Sequence, residues 1–209
     1  MPTITTQTAD IFYEEQGKGD PLLLIPGLGA DSKIWGPFAQ MFSERRRVLT
    51  YDPRGLGKSS AGEQPLTLDL MVADAAAVLD AAGAEKPVLL GASLGSLVAL
   101  KFALAHPGRT RKLILVTPSP FRMRYGDWIL ELLSLYAEKL TPQEFIRSLM
   151  PLVFAPPFFE KSYGMIREVG RMLTPSEGEL EQIKRQLESL RTAELPRDLS
   201  SVDVPVLIL

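Results

Sequence analysis

The sequence predicts an α/β protein: a mostly parallel sheet flanked by helices, interrupted by a wholly helical insertion. Three observations predict it. Short apolar runs of strand length alternate with longer amphipathic stretches, as in a parallel sheet built from strand–helix units. One run, Pro87-Val88-Leu89-Leu90, passes straight into a helical pattern through Gly91-Ala92-Ser93-Leu94-Gly95. A strand that turns this sharply into a helix lifts the central serine above the sheet. Between residues 121 and 191 the strand-like runs cease and only helical patterns remain.

The first ten residues are polar and Thr-rich. Residues 11–16 read as an early strand, followed by a Gly17-Lys18-Gly19-Asp20 turn. Leu22-Leu23-Leu24-Ile25 is a buried strand ending at Pro26-Gly27. Residues 34–42 can form a short helix, and Arg47-Val48-Leu49-Thr50-Tyr51 is the next strand. Residues 68–82 form a clear helix. Thr67 can cap it, Leu68, Met71, Val72, Ala75, Val78, Leu79 and Ala82 form its buried stripe, and Gly83 supplies the left-handed stop. The 87–90 strand, the Ser93 corner, a helix over 94–105 and a strand over 112–116 complete this part. Gly91 and Gly95, two positions either side of Ser93, allow the strand and helix to approach closely enough for the turn.

The expected organisation is a core over residues 1–120, a helical cap or lid over 121–192, and a return to the core over 193–209. Thr141-Pro142-Gln143-Glu144 and Thr174-Pro175-Ser176-Glu177 each read as a cap, a proline at the first helical position and a glutamate three residues after the cap. The insertion carries Phe121, Met123, Trp128, Phe154, Phe158, Phe159, Met165 and Met172. These side chains either line an apolar pocket or hold the helices onto the core. Val204-Pro205-Val206-Leu207-Ile208-Leu209 reads as another buried strand, which expects helices on both faces, although nothing follows it here to cover it.

Composition narrows the function. The 209 residues are 45% hydrophobic and 23% charged, ordinary for a globular domain. The net charge of −2 draws the chain neither to nucleic acid nor to anionic lipid. Cysteine is absent, so disulfides, thiol catalysis and cysteine-ligated metal are excluded. The N-terminal residues lack an apolar signal core, and no stretch approaches the roughly 20 apolar residues of a membrane span. A cytoplasmic location is the default expectation. Gly57-Lys58-Ser59 has letters of a phosphate loop but Asp52 where that loop needs glycine.

Several segments together resemble the α/β-hydrolase superfamily. Pro26-Gly27-Leu28-Gly29 resembles its H-G-x-G loop, with proline in place of histidine. Tyr51-Asp52-Pro53-Arg54-Gly55-Leu56-Gly57-Lys58-Ser59 is similar to its Y-D-x-R-G-x-G-x-S segment, and Trp35 falls where the family often has an aromatic. Gly91 to Gly95 matches the nucleophile elbow, and Ala105-His106-Pro107 with Arg109 resembles the end of the following helix. Val204 to Ile208 resembles the strand before the family's acid loop. The closest flavour is the cofactor-free branch of esterases, enol-lactonases, carbon–carbon bond hydrolases and perhydrolases.

The resemblance implies a serine hydrolase acting on a small ester, lactone or related acyl bond, with no cofactor and no metal. Ser93 is the implied nucleophile; the other reading is a serine in a tight turn. The backbone N–H of Leu94, at a helix N-terminus, and that of Leu28 are the implied oxyanion-hole donors. A base is harder to place. The one histidine, His106, lies 13 residues after Ser93 along a helix, roughly 20 Å away, whereas hydrogen-bond reach is about 3 Å. No carboxylate stands in Thr117-Pro118-Ser119-Pro120, Asp127 lies in the insertion, and Asp52 is better placed to pin the following turn. Lys101, eight residues along the same helix, points away from the hydroxyl, and Lys58 lies in a polar turn. The expectation is therefore an N-terminal portion of such an enzyme, with acid and base missing through truncation. The alternatives are a non-catalytic small-molecule-binding module and one half of a split hydrolase completed by another polypeptide; the partners expected are a small ester or lactone-like substrate and either such a complementing C-terminal polypeptide or further copies in a homo-oligomer.

Overall fold

A computed structural model describes residues 2–118, 124–194 and 198–209. Seven strands form one sheet: β1 (Thr3–Thr5), β2 (Asp10–Gln16), β3 (Pro21–Ile25), β4 (Arg47–Tyr51), β5 (Val88–Ala92), β6 (Lys112–Val116) and β7 (Val206–Ile208). Their spatial order is β1-β2-β4-β3-β5-β6-β7. The first two strands join antiparallel and the rest of the sheet is parallel. The mostly parallel sheet is as expected; the Thr-rich start adds an edge strand that its polar composition concealed.

Helices α1 (Gly36–Ser43), α2 (Leu68–Ala81) and α3 (Leu94–Ala105) cover the sheet. Side chains alternate across the pleat. Leu23, Ile25, Leu49, Leu89, Leu113 and Leu115 pack with α2 and α3 on one face. Leu22, Leu24, Val48, Val88 and Leu90 pack with Trp35 and Ala39 on the other. Thr67 caps α2 by accepting from the Leu70 amide, and Gly83 ends it at φ 58°. The helix expected over 34–42 is divided. A 3₁₀ turn at Ser32–Trp35 is capped by Asp31, and α1 starts afterwards, where Pro37 suits a first turn.

Among the described residues five helices follow: α4 (Arg124–Lys139), α5 (Pro142–Val153), α6 (Pro156–Lys161), α7 (Tyr163–Met172) and α8 (Glu177–Thr192). They share an apolar cluster of Ala137, Phe145, Ile146, Met150, Ile166, Leu180, Ile183 and Leu187. Thr141 and Glu144 form a reciprocal capping box at the start of α5. The second cap differs from the expected one. Ser176, not Thr174, caps α8, with Glu179 as its reciprocal partner; the Thr174 hydroxyl instead donates back to the Gly170 carbonyl of α7.

Trp128, Phe158, Met165 and Met172 are exposed, so they line no enclosed pocket; Phe121 and Met123 lie outside the described residues. Strand β7 pairs with β6, and Val206, Leu207 and Ile208 are exposed. It stands at one end of the described strand order, and no described helix covers it. Among the described residues no helix is long and apolar enough to cross a membrane.

Candidate active site

Ile25 pairs with Gly91, so the C-terminal ends of β3 and β5 lie side by side. From β3 the chain moves to β4 on one flank; from β5 it moves to β6 on the other. Strand order therefore reverses between β3 and β5, where the carboxyl ends of parallel strands form ligand-binding crevices.

Ser93 sits at that point, with φ 50° and ψ −116°. Such a conformation in a non-glycine residue costs on the order of 1–3 kcal/mol and persists only when its surroundings impose it. The imposing contacts are present. The Ser93 amide donates to the Val116 carbonyl at 2.9 Å, and the Ser96 amide donates to the Ser93 carbonyl at 2.9 Å. Beneath the corner the buried Ser96 hydroxyl reaches the carbonyls of Gly91 (2.6 Å) and Val116 (3.0 Å). A Cβ on Gly91 would lie 2.1 Å from the Gly95 carbonyl oxygen, and one on Gly95 would lie 2.2 Å from that of Ile25. Only glycines allow α3 to start this close to β3. The Ser93 side chain is exposed above the corner and makes no hydrogen bond among the described residues.

The loop after β3 abuts this corner. A Cβ on Gly27 would meet the Ala92 carbonyl oxygen at 3.1 Å and the Ser93 Cβ at 3.5 Å. The loop is a turn closed by the Ala30 amide donating to the Gly27 carbonyl at 3.3 Å. Gly29 occupies the left-handed position at φ 69° that type II turns reserve for glycine. The Gly29 amide donates to Oε1 of Gln186 on α8 at 2.8 Å. The Leu28 and Leu94 amides donate to no acceptor among the described residues. Leu94 is the first residue of α3, where unpaired amides and the helix dipole favour negative charge.

The other candidates stay apart. His106 is the C-terminal cap of α3, its ring against Phe102 at 4.7 Å, a whole helix away from Ser93. Asp52 is buried and its carboxylate accepts from the amides of Ser32 (2.9 Å) and Lys58 (2.8 Å), which pins the turns around it. Lys101 pairs with Asp69 at 2.6 Å, and the Lys58 ammonium stands over the Phe12 ring at 4.1 Å. Asp127 lies on α4, and Ser119 and Pro120 fall outside the described residues.

Two features have no counterpart among the expected site residues. Arg54 and Asp74 form a buried, two-pronged ion pair, with Arg54 Nε donating to Asp74 Oδ2 at 2.7 Å. Burial raises the Asp74 carboxyl pKa, and Arg54 opposes that rise. Burial likewise pushes the nearby Tyr51 phenol well above its usual range. An acid at position 74 lies within the apolar stripe Met71, Ala75, Val78, which is the signal the sequence offers. The second feature is Gln186, buried between Ile183 and Leu187 on α8; its position in an apolar stripe is a similar signal.

The family model for the alpha/beta hydrolase fold matches residues 20–155. The chain is similar to "Putative carbamate hydrolase RutD" of Azorhizobium caulinodans, 37% identical over 116 residues, covering 56% of this chain and 44% of that protein. It is also similar to the pimeloyl-[acyl-carrier protein] methyl ester esterase of Aeromonas hydrophila, 38% identical over 119 residues, covering 56% of this chain and 45% of that one. The chain spans about half the length of these curated relatives. Among solved structures, the enol-lactonase from Burkholderia xenovorans LB400 superposes with a TM-score of 0.85 at 21% identity, covering 99% of this chain and 80% of that one. The match to the family model, over more than half of the sequence, agrees with the strand order and the corner at Ser93: the chain belongs to the α/β-hydrolase family.

Proposed function

We propose that this chain carries the nucleophile and oxyanion hole of a serine hydrolase acting on a small ester, lactone or carbamate-type carbonyl. The observation that carries the reading is Ser93 itself: a strained, exposed hydroxyl at a strand-to-helix corner, with two uncommitted amides on adjoining segments. The Ser93 oxygen attacks the carbonyl carbon, giving up its proton to a base; the tetrahedral adduct then breaks its bond to the leaving alcohol or amine, which takes that proton, leaving an acyl-enzyme that water hydrolyses. The carbonyl oxygen gains negative charge, which the amides of Leu28 and Leu94 receive in place of water. Helices α4–α8 act as a cap over the β3 and β5 loops and select the acyl group. The ester and carbamate chemistry in the names of the relatives and the lactone chemistry of the structural neighbour support this substrate class.

A serine hydroxyl needs a base to take its proton. His106 cannot reach Ser93, so the base and its supporting acid come from polypeptide other than residues 1–209, either continuous with it or a separate complementing chain. The test is fluorophosphonate labelling of the full-length gene product, with the adduct mapped by mass spectrometry. Label is expected on Ser93 and is lost in Ser93→Ala. Label elsewhere, or full hydrolysis of a p-nitrophenyl ester by Ser93→Ala, refutes the assignment. Stoichiometric ligand binding without any label identifies a binding module instead.

A further inference from the structure

Helix α8 reaches over the loops at the carboxyl ends of the strands. Gln182 packs on Gly55, the Glu179 carboxylate accepts from the Gly57 amide at 3.3 Å, and Arg185 donates to the carbonyls of Gly62 and Gln64. Ile183 lies against Gly29, where a Cβ would meet its Cδ1 at 2.8 Å. Most of these contacts are ordinary packing between a helix and loops. Gln186 is different: a polar side chain 1% exposed, held in an apolar stripe at a cost unless it is hydrogen-bonded. Its one described partner is the Gly29 amide.

We propose that Gln186 is a positioning residue for the oxyanion loop, an inference that rests on the Ser93 reading above. The Leu28–Gly29 peptide is the central peptide of the Gly27–Ala30 turn. Type I and type II turns differ by a reversal of that peptide, and glycine in its second half accepts either. The left-handed Gly29 therefore permits the observed orientation without selecting it. The Gln186 carbonyl selects it by accepting the Gly29 N–H, and the same bond removes that amide from competition for a ligand. Ala30 donates back to Gly27. Leu28 is then the amide of this turn left free to donate. Gln186 also lines a small cavity together with Gly27 and Leu94, so it adjoins both segments that supply donors. The Leu28 N–H belongs to the preceding peptide, so it is held through the turn as a whole: without the Gln186 tether the turn is free to shift against the Ser93 corner, and the pair of donors loses its spacing.

The test is Gln186→Leu in the full-length gene product, followed by steady-state hydrolysis of a p-nitrophenyl ester and inhibition by a trifluoromethyl ketone. Removing an oxyanion donor outright lowers kcat by about 10²–10³-fold. Here the donor is loosened rather than deleted, so kcat is expected to fall about 10- to 100-fold with KM within about threefold. Affinity for the ketone, which resembles the tetrahedral adduct, is expected to fall in step with kcat/KM. A folded variant with wild-type kcat overturns the proposal, as does one whose KM and thermal stability move while kcat and ketone affinity do not. If Gln186→Leu fails to fold, Gln186→Asn decides. It keeps the amide but withdraws it by one methylene, and it must show the same split. Ser93→Ala is the separating control: its retained activity sinks the nucleophile, whereas a Ser93-dependent enzyme indifferent to Gln186 sinks only the positioning role.

Discussion

Gly95→Ala tests the corner most directly. The added Cβ would stand 2.2 Å from the Ile25 carbonyl oxygen and 2.6 Å from that of Pro26. Both are backbone atoms at the end of β3, so neither can rotate away. Relief requires α3 and β3 to separate by about 1 Å, since carbon contacts settle near 3.5 Å. Overpacking of this kind costs roughly 1–3 kcal/mol, and the alanine regains up to about 1 kcal/mol of helix propensity. After the full offset a net loss of up to about 2 kcal/mol is expected from urea unfolding curves. The functional loss is larger, because a misplacement of about 1 Å at a reacting group costs on the order of 100-fold in rate. The second-order rate of fluorophosphonate labelling at Ser93 is therefore expected to fall about 100-fold while most of the protein stays folded. Gly178→Ala on α8 is the control: its Cβ meets nothing within 4 Å, so stability rises slightly and labelling is unchanged. Wild-type labelling and wild-type stability in Gly95→Ala would show that the close seating of α3 on β3 is not what shapes the corner.

Three further outcomes follow from the packing. Asp74→Asn leaves the Arg54 guanidinium, 2% exposed, without its counter-charge; a destabilisation of about 3–5 kcal/mol is expected in urea unfolding. Ser176→Ala is expected to cost about 1 kcal/mol as the loss of a true cap, and Thr174→Ala less than half of that, which calorimetry on the two variants will order. Burial opposes ionisation of Glu179, but hydrogen bonds from Ser176 and Gly57, with Lys33 nearby, outweigh it and hold the carboxyl below its usual value. A lowered acid contributes stability above its unfolded pKa of about 4.3 and loses it as pH falls through the folded value. Glu179→Gln is thus expected to be less stable than the parent at pH near 7 and to converge with it as the pH falls below the usual carboxylate range; a difference that stays constant throughout that fall would refute the assignment.

Elements set by neighbouring residues are legible in the sequence itself. The bounds of β4 and β6 and the extent of α3 follow from apolar runs closed by polar or turn residues, and Gly91-Ala92-Ser93-Leu94-Gly95 specifies its own corner because two missing side chains and one strained serine are adjacent in the chain. The Thr141–Glu144 capping box is equally local. Where a choice depends on distant partners, local pattern misleads or stays silent. Thr174 and Ser176 both suit a cap, and the end of α7 takes the first. An apolar run over 206–209 reads as a strand, but the run does not say that its partner is β6. Asp74 meets Arg54 across 20 residues and Gln186 meets Gly29 across 157. Backbone preference and periodicity act over a few residues, whereas a buried polar group is defined by whichever partner the fold brings to it; the first belongs to the sequence alone and the second only to the assembled chain.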